Sequence, residues 1–319
     1  MTRFPFEMAS VITFGSLLMI IVSAPLWCEA AAPAVDDELT KAQVKRMDGV
    51  VFEHYSRKNP KRHRALNVHR ETSLEHFDVS LPLKILIHGW LGTPSYLEFV
   101  KDTYLRAEDC NVVMVNWSKM SQNFNYKRSA GHTEMTGRAT ARLIDKLASR
   151  GQDLGNVHVV GHSLGGQTAG VVGGFVTAGQ VAKITGLDPA GPAFADKDLK
   201  YKLDPSDGVL VEAIHTNHGF LGSSQLLGHF DFYPNGGKNQ AGCTGDQMSA
   251  GGCNHMRAVE YFNESITTPF VGTKCDNYKS YKSGKCKNNP TAIMGEKMVM
   301  SEPGKYYFIT NQEFPFAIV

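Results

Sequence analysis

The sequence predicts an α/β architecture, a mostly parallel central sheet with helices on both faces. Three observations point to it. Short β-rich, apolar runs recur at residues Leu83 to His88, Asn111 to Trp117, Asn156 to Gly161, Lys183 to Leu187, Gly208 to His215 and His229 to Tyr233. Several of them are continuous rather than alternating, as strands covered on both faces tend to be. Helical candidates lie between the runs, and this alternation over roughly residues 45 to 265 favours parallel pairing.

Taken in order, the first thirty residues read as a secretory address rather than part of the fold. Arg3 supplies a positive start, Val11 to Val22 is apolar, and Ala30-Ala31 offers small residues for cleavage. The uncharged stretch Met8 to Trp27 is nearly long enough for an uncleaved anchor, but Thr13, Gly15, Ser16 and Pro25 dilute its apolarity. Residues 31–319 are then expected to form one domain of a secreted protein. A basic cluster, Arg57, Lys58, Lys61, Arg62, His63 and Arg64, interrupts the first strand-like pair; such charge attracts an anionic membrane or a sulfated sugar, but Asn59-Pro60 at its centre favours the reading as a solvated turn. Glu134 to Arg150 places Met135, Ala139, Leu143, Ile144 and Leu147 near one helical face, and Gly151 supplies a stop. The last fifty residues, with the aromatic-rich stretch Lys305 to Phe314, read as closing strands and loops.

Composition excludes several classes. A chain of 319 residues, 42% hydrophobic and with 31 Gly and 14 Pro, is neither disordered nor low in complexity. A net charge of +2 gives no reason to expect nucleic acid as a partner. Of six cysteines, Cys28 lies in the signal. Cys243 and Cys253 enclose nine residues and Cys275 and Cys286 ten, so two local disulfides are the economical pairing. Each would constrain the unfolded chain by about 2.8 kcal/mol on a loop-entropy basis. Cys110 is left as an inert buried thiol.

The most informative segment is Asn156 to Gly166, where an apolar strand runs into Gly161-His162-Ser163-Leu164-Gly165 and then a Gly/Ala/Val-rich helix. This is a G-x-S-x-G nucleophile elbow in its proper context. A serine hydroxyl needs a histidine to take its proton and a carboxylate to hold that histidine in one tautomer. Both partners are expected after the serine, acid first. Asp188 stands just beyond a strand, which favours it over Asp204 and Asp207. Among the bases, His215, His218, His229 and His255 all qualify by position. Leu164 offers one oxyanion N–H, and His88-Gly89-Trp90, at the end of an earlier strand, offers a second from Trp90.

Together these residues resemble the pancreatic lipase family of secreted α/β-hydrolases, most closely its insect members with short lids. The motifs that carry the resemblance are Ile87 to Trp90, Val159 to Gly166, Ile184 to Ala190, Leu203 to Asp207, Ile214 to Thr216, Gly228 to Gly237 and Cys253 to Arg257. The resemblance implies the α/β-hydrolase fold, a triad of Ser163, Asp188 and His255, and structural roles for His215 and His229. It implies a lipid substrate at a membrane or micelle surface and no catalytic cofactor. Asp204 and Asp207 match carboxylates of the family's structural calcium site, whose other ligands are largely carbonyls near Leu199 and Lys202. The disulfide pair at Cys243 and Cys253 matches the bracket of the family's lid. Nine residues make at most ~14 Å of helix, too little to roof a lipid pocket. With the short segment from Thr216 to Leu227, this resembles the phospholipase A1 pattern; neutral glycerides are the second expected substrate, and a non-catalytic lipid carrier the third reading. With the chain ending at Val319, no C-terminal β-sandwich domain and no colipase-type partner are expected. Two Asn-x-Ser sequons occur at Asn116 and Asn263, the latter expected beside a helix and the better glycan acceptor.

Overall fold

The computed structural model describes residues 39–244, 252–299 and 301–318. The expected signal, and most of the segment between Cys243 and Cys253, lie outside the described residues. In chain order the strands are β1 (Val51–Tyr55), β2 (Arg64–Leu66), β3 (Leu83–Ile87), β4 (Asn111–Asn116), β5 (Val157–His162), β6 (Val181–Leu187), β7 (Gly208–Ile214), β8 (Phe230–Pro234), β9 (Phe270–Lys274), β10 (Thr291–Met294) and β11 (Gly304–Phe308). The helices are α1 (Lys41–Met47), α2 (Glu98–Ala107), α3 (Ser118–Ser121), α4 (Tyr126–Gly131), α5 (Thr133–Ala148), α6 (Leu164–Phe175), α7 (Cys253–Ser265) and α8 (Tyr278–Lys282).

All of these strands join one sheet, in the order β10-β9-β11-β8-β7-β6-β5-β3-β4-β1-β2. Pairing is parallel from β4 across to β11, and antiparallel only at the two margins, β1 with β2 and β4, and β9 with β10 and β11. The arrangement is that of an α/β-hydrolase, a mostly parallel sheet with helices on both faces. Side chains on β3 show how two layers are covered. Leu83, Ile85 and Ile87 join a core with Leu143, Leu147 and Val172 from α5 and α6, whereas Leu86 joins Val100 and Tyr104 of α2 and Phe262 of α7. A strand fed by crossover helices has no wet face, which is why its sequence is continuously apolar.

The predicted elements meet the structure with small boundary shifts. The helix read over residues 134–150 spans α5, and the elbow helix begins at Leu164. The basic cluster is the β1–β2 turn, where Arg57 donates to Leu105 O at the end of α2. Both disulfides form as paired, Cys243 with Cys253 and Cys275 with Cys286. Cys110 is free and buried, its thiol pushed up to about 12 chiefly by burial. Asn263 lies inside the last turns of α7 rather than beside it, with its side-chain oxygen buried. No helix among the described residues is long and apolar enough to cross a membrane.

Candidate active site

Ser163 stands at the C-terminal end of β5 with φ 59° and ψ −119°, a left-handed backbone that a non-glycine residue rarely adopts. Its neighbours permit the turn. A Cβ on Gly161 would lie 1.9 Å from Gly165 O, and one on Gly165 would lie 2.2 Å from Ile87 O. Ser163 N–H donates to Leu187 O at 3.0 Å, and Ser163 O accepts from Ala190 N–H at 3.1 Å, so the elbow is bolted to the end of β6. The serine opens onto a cleft of about 560 Å³ lined by Gly89, Trp90, Leu91, Tyr96, His162 and Met256.

Asp188 follows β6 directly and is fully buried. Its Oδ1 accepts from the N–H groups of Thr216 and Asn217, each at 2.9 Å, in the loop after β7. Its Oδ2 lies 2.6 Å from His255 Nδ1. A carboxylate only accepts, so Nδ1 carries the proton and Nε2 is left as the acceptor nitrogen. His255 is the third residue of α7, whose first turn is pinned by the Cys243–Cys253 disulfide and by Arg257, which donates to Gln312 O at 3.0 Å and lies over the Phe316 ring. The His255 ring is 4.4 Å, centroid to centroid, from that of His162, the residue before Ser163. In this conformation Ser163 Oγ makes no hydrogen bond within 3.5 Å of the imidazole; such contacts tend to tighten only when substrate is bound.

The other histidines left open by position have different partners. His215 pairs with Asp231 at 2.8 Å and with Ser223 O at 3.2 Å. His218 meets Gly236 O, and His229 accepts from Val211 N–H. Geometry therefore joins Asp188 to His255 alone among these four.

The two expected oxyanion donors flank the serine. Leu164 N–H opens α6 and, like Trp90 N–H, has no protein acceptor among the described residues. Gly89 presses against the elbow so closely that a Cβ there would lie 2.8 Å from Ser163 Cβ. This loop is braced by groups the sequence did not announce. Gly89 N–H donates to Tyr96 Oη, Tyr96 Oη meets His162 Nδ1 at 3.1 Å, and His162 Nε2 meets His255 O at 3.1 Å. A carbonyl only accepts, so His162 carries its proton on Nε2 and receives the Tyr96 hydroxyl on Nδ1. Burial, with His255 nearby, holds His162 well below the ordinary histidine range. His88 is likewise neutral, held down to about 4 by burial; its Nε2 accepts from Trp117 N–H and its Nδ1 contacts Gly89 O. No local motif marks Tyr96, because only the fold brings it under Gly89.

Asp204 and Asp207 lie where β7 begins. Asp204 Oδ2 is a buried carboxylate oxygen without a hydrogen-bond partner, and Asp207 is pushed up to about 9 by burial and by the charge of Asp204. An orphan carboxylate oxygen next to a second carboxylate has the chemistry of a hard-cation ligand. Among the described residues no group of three or more His, Cys, Asp or Glu side chains assembles, so carbonyls would have to complete such a site.

Comparison with known proteins shows the family. The family model described as Lipase matches residues 28–316. Lipase member H of Danio rerio is 32% identical over 83% of this chain and 63% of its own length. Phospholipase A1 member A of Bos taurus is 35% identical over 76% of this chain and 57% of its own, and pancreatic lipase-related protein 2 of Homo sapiens 35% identical over 73% and 55%. The chain thus spans little more than half the length of these curated relatives. Among solved structures, a phospholipase/carboxylesterase from Dyadobacter fermentans overlaps 58% of this chain and 79% of its own at TM-score 0.33 and 9% identity, too loosely to add to the topology above. The chain belongs to the Lipase family, that of pancreatic lipase.

Proposed function

We propose that this protein hydrolyses carboxylic esters of lipids through an acyl-enzyme on Ser163. The observation that carries the reading is the buried Asp188–His255 pair beside a strained serine. Ser163 Oγ attacks the ester carbonyl while His255 Nε2 takes its proton; the C–O bond of the alcohol then breaks, and His255 returns the proton to the leaving oxygen. Water, activated by the same nitrogen, releases the fatty acid. The N–H groups of Trp90 and Leu164 hold the negative oxygen of each tetrahedral intermediate, and Asp188 keeps the imidazole in the productive tautomer.

The sn-1 ester of a phospholipid is the favoured substrate. Only nine residues separate Cys243 from Cys253, so the mouth of the cleft has little to cover it and a polar head group can pass. The name of the bovine relative, phospholipase A1 member A, is in keeping with this. Neutral glyceride is the second reading, favoured by the similarity to pancreatic lipase-related protein 2. Fatty acid release from phosphatidylcholine and from triolein by the purified protein separates the two, and cleavage of triolein alone would defeat the first. A fluorophosphonate probe that labels the wild type and not Ser163→Ala excludes a non-catalytic carrier. Two disulfides and the apolar leader support secretion, which immunoblotting of medium against cell lysate tests. Asp204 and Asp207, with nearby carbonyls, would hold a structural calcium remote from the chemistry; a rise in Tm on adding calcium, absent in Asp204→Asn, is its expected signature.

A further inference from the structure

We propose that residues 119–128, on the lip of the cleft, anchor the protein to an anionic phospholipid surface, Phe124 entering the apolar layer while Lys119, Lys127 and Arg128 bind lipid phosphates. This deepens the reading of the cleft as an ester-hydrolysing site by naming the surface on which it works.

The loop presents what such a surface would take up. Phe124 is 91% exposed, far more than the other exposed aromatic or aliphatic side chains of the described residues. An isolated apolar residue at a protein surface is ordinary; a phenyl ring almost wholly in water, with three exposed cations within five residues of it along the chain, is not. Lys119, Lys127 and Arg128 are exposed, and none forms an ion pair within 4.0 Å among the described residues. An exposed aromatic with cations near it in the same loop matches the order of a bilayer, acyl chains beneath phosphates.

The loop is also fastened to the oxyanion segment. Leu91 N–H donates to Ser121 O at 3.1 Å, Ser121 Oγ donates to Gly92 O at 3.3 Å, and Trp90 Nε1–H donates to Asn123 O at 2.6 Å. The Trp90 and Tyr126 rings meet edge to face at 5.2 Å. Asn125 caps α4 by accepting from Arg128 N–H, which sets where the cations emerge. Leu91, itself 36% exposed, lines the cleft and is tied through its N–H to Ser121 of this loop, so it offers a second apolar contact. Seating Phe124 in lipid therefore brings the cleft mouth to the surface, and a phospholipid need only slide across Leu91 and Trp90 to reach Ser163.

The test separates docking from catalysis. Full-length Ser163→Ala protein, which leaves lipid intact, is sedimented with phosphatidylcholine vesicles and with vesicles containing phosphatidylglycerol. Expected is tighter partitioning onto the anionic vesicles that falls with salt. Phe124→Ser should weaken it by about tenfold, from the burial of one phenyl ring. Replacing Lys119, Lys127 and Arg128 together with Gln should weaken it by about a hundredfold at low salt. In the Ser163 background both variants should hydrolyse a soluble short-chain p-nitrophenyl ester as the wild type does, showing that fold and catalytic groups are intact. A Phe124→Trp variant should be quenched by brominated lipid beyond the wild-type level. Equal partitioning of wild type and Phe124→Ser, or indifference to phosphatidylglycerol, overturns the proposal. Vesicle binding without hydrolysis of any ester by the Ser163 protein would instead overturn the catalytic reading and leave the docking surface standing.

Discussion

Two buried histidine–aspartate pairs lie in this fold, and the proposed mechanism uses only one of them. His255 with Asp188 and His215 with Asp231 have similar separations, 2.6 and 2.8 Å, and all four residues are buried. They differ at the second ring nitrogen. In His215 it is engaged by Ser223 O, and the ring is stacked on Tyr233 at 4.5 Å and 6°. In His255 it has no hydrogen-bond partner among the described residues, and the ring adjoins the segment that carries Ser163. The carboxylates follow suit. Asp231 accepts from Leu227 and Gly228 N–H and so organises a loop, whereas Asp188 is fixed by Thr216 and Asn217 N–H and orients a base. A buried His–Asp pair alone is thus a structural device as readily as a catalytic one; the proposed mechanism turns on the second ring nitrogen, engaged in His215 and without a hydrogen-bond partner among the described residues in His255.

Substitutions that exchange the consequences would break this contrast. His255→Ala should lower kcat by about 10⁴-fold or more, with the thermal midpoint little changed. His215→Ala should do the reverse, leaving kcat within about threefold while destabilising the fold by ~3 kcal/mol or more, because Asp231 loses its buried partner. Steady-state kinetics and urea unfolding of the two variants decide it; a His215→Ala enzyme as inactive as His255→Ala would show that the pairs had been told apart wrongly.

A smaller effect sharpens the boundary of the catalytic pair. Tyr96→Phe removes the acceptor of Gly89 N–H and the donor to His162 Nδ1, loosening the oxyanion segment and the backbone of His255 together. Expected is a kcat loss of about tenfold with KM nearly constant, the size of one hydrogen bond. A change confined to KM would make Tyr96 a wall of the cleft and nothing more.

A last effect, on stability alone, concerns a histidine with no carboxylate. His88 is held down to about 4 in the folded protein by burial, while in the unfolded chain it titrates near ~6.5. Between those values the unfolded state binds the proton and the native state does not, so His88 contributes a loss of stability as pH falls from about 6.5 toward 4. His88→Gln should flatten that part of the stability–pH curve measured by urea titration; an unchanged slope would mean that other groups set acid sensitivity.

Much of this protein was legible before any coordinates because its signals are local. The elbow Gly161 to Gly165 declares itself by the spacing of its glycines around Ser163 at the end of an apolar run, and the parallel sheet through continuous apolar runs whose neighbours in sequence are helices. Asp188 was readable from its place one residue past a strand. The choice among His215, His218, His229 and His255 was not open to local reasoning; it rested on family resemblance until the fold brought Asp188 and His255, 67 residues apart, within hydrogen-bond reach. Tyr96, Thr216 and Asn217 entered the same way, as did the attachment of the Phe124 loop to Trp90. Motif spacing and apolar periodicity run along the chain and leave their mark in sequence. Hydrogen bonds across loops depend on where distant segments come to rest, and only the packed sheet decides that.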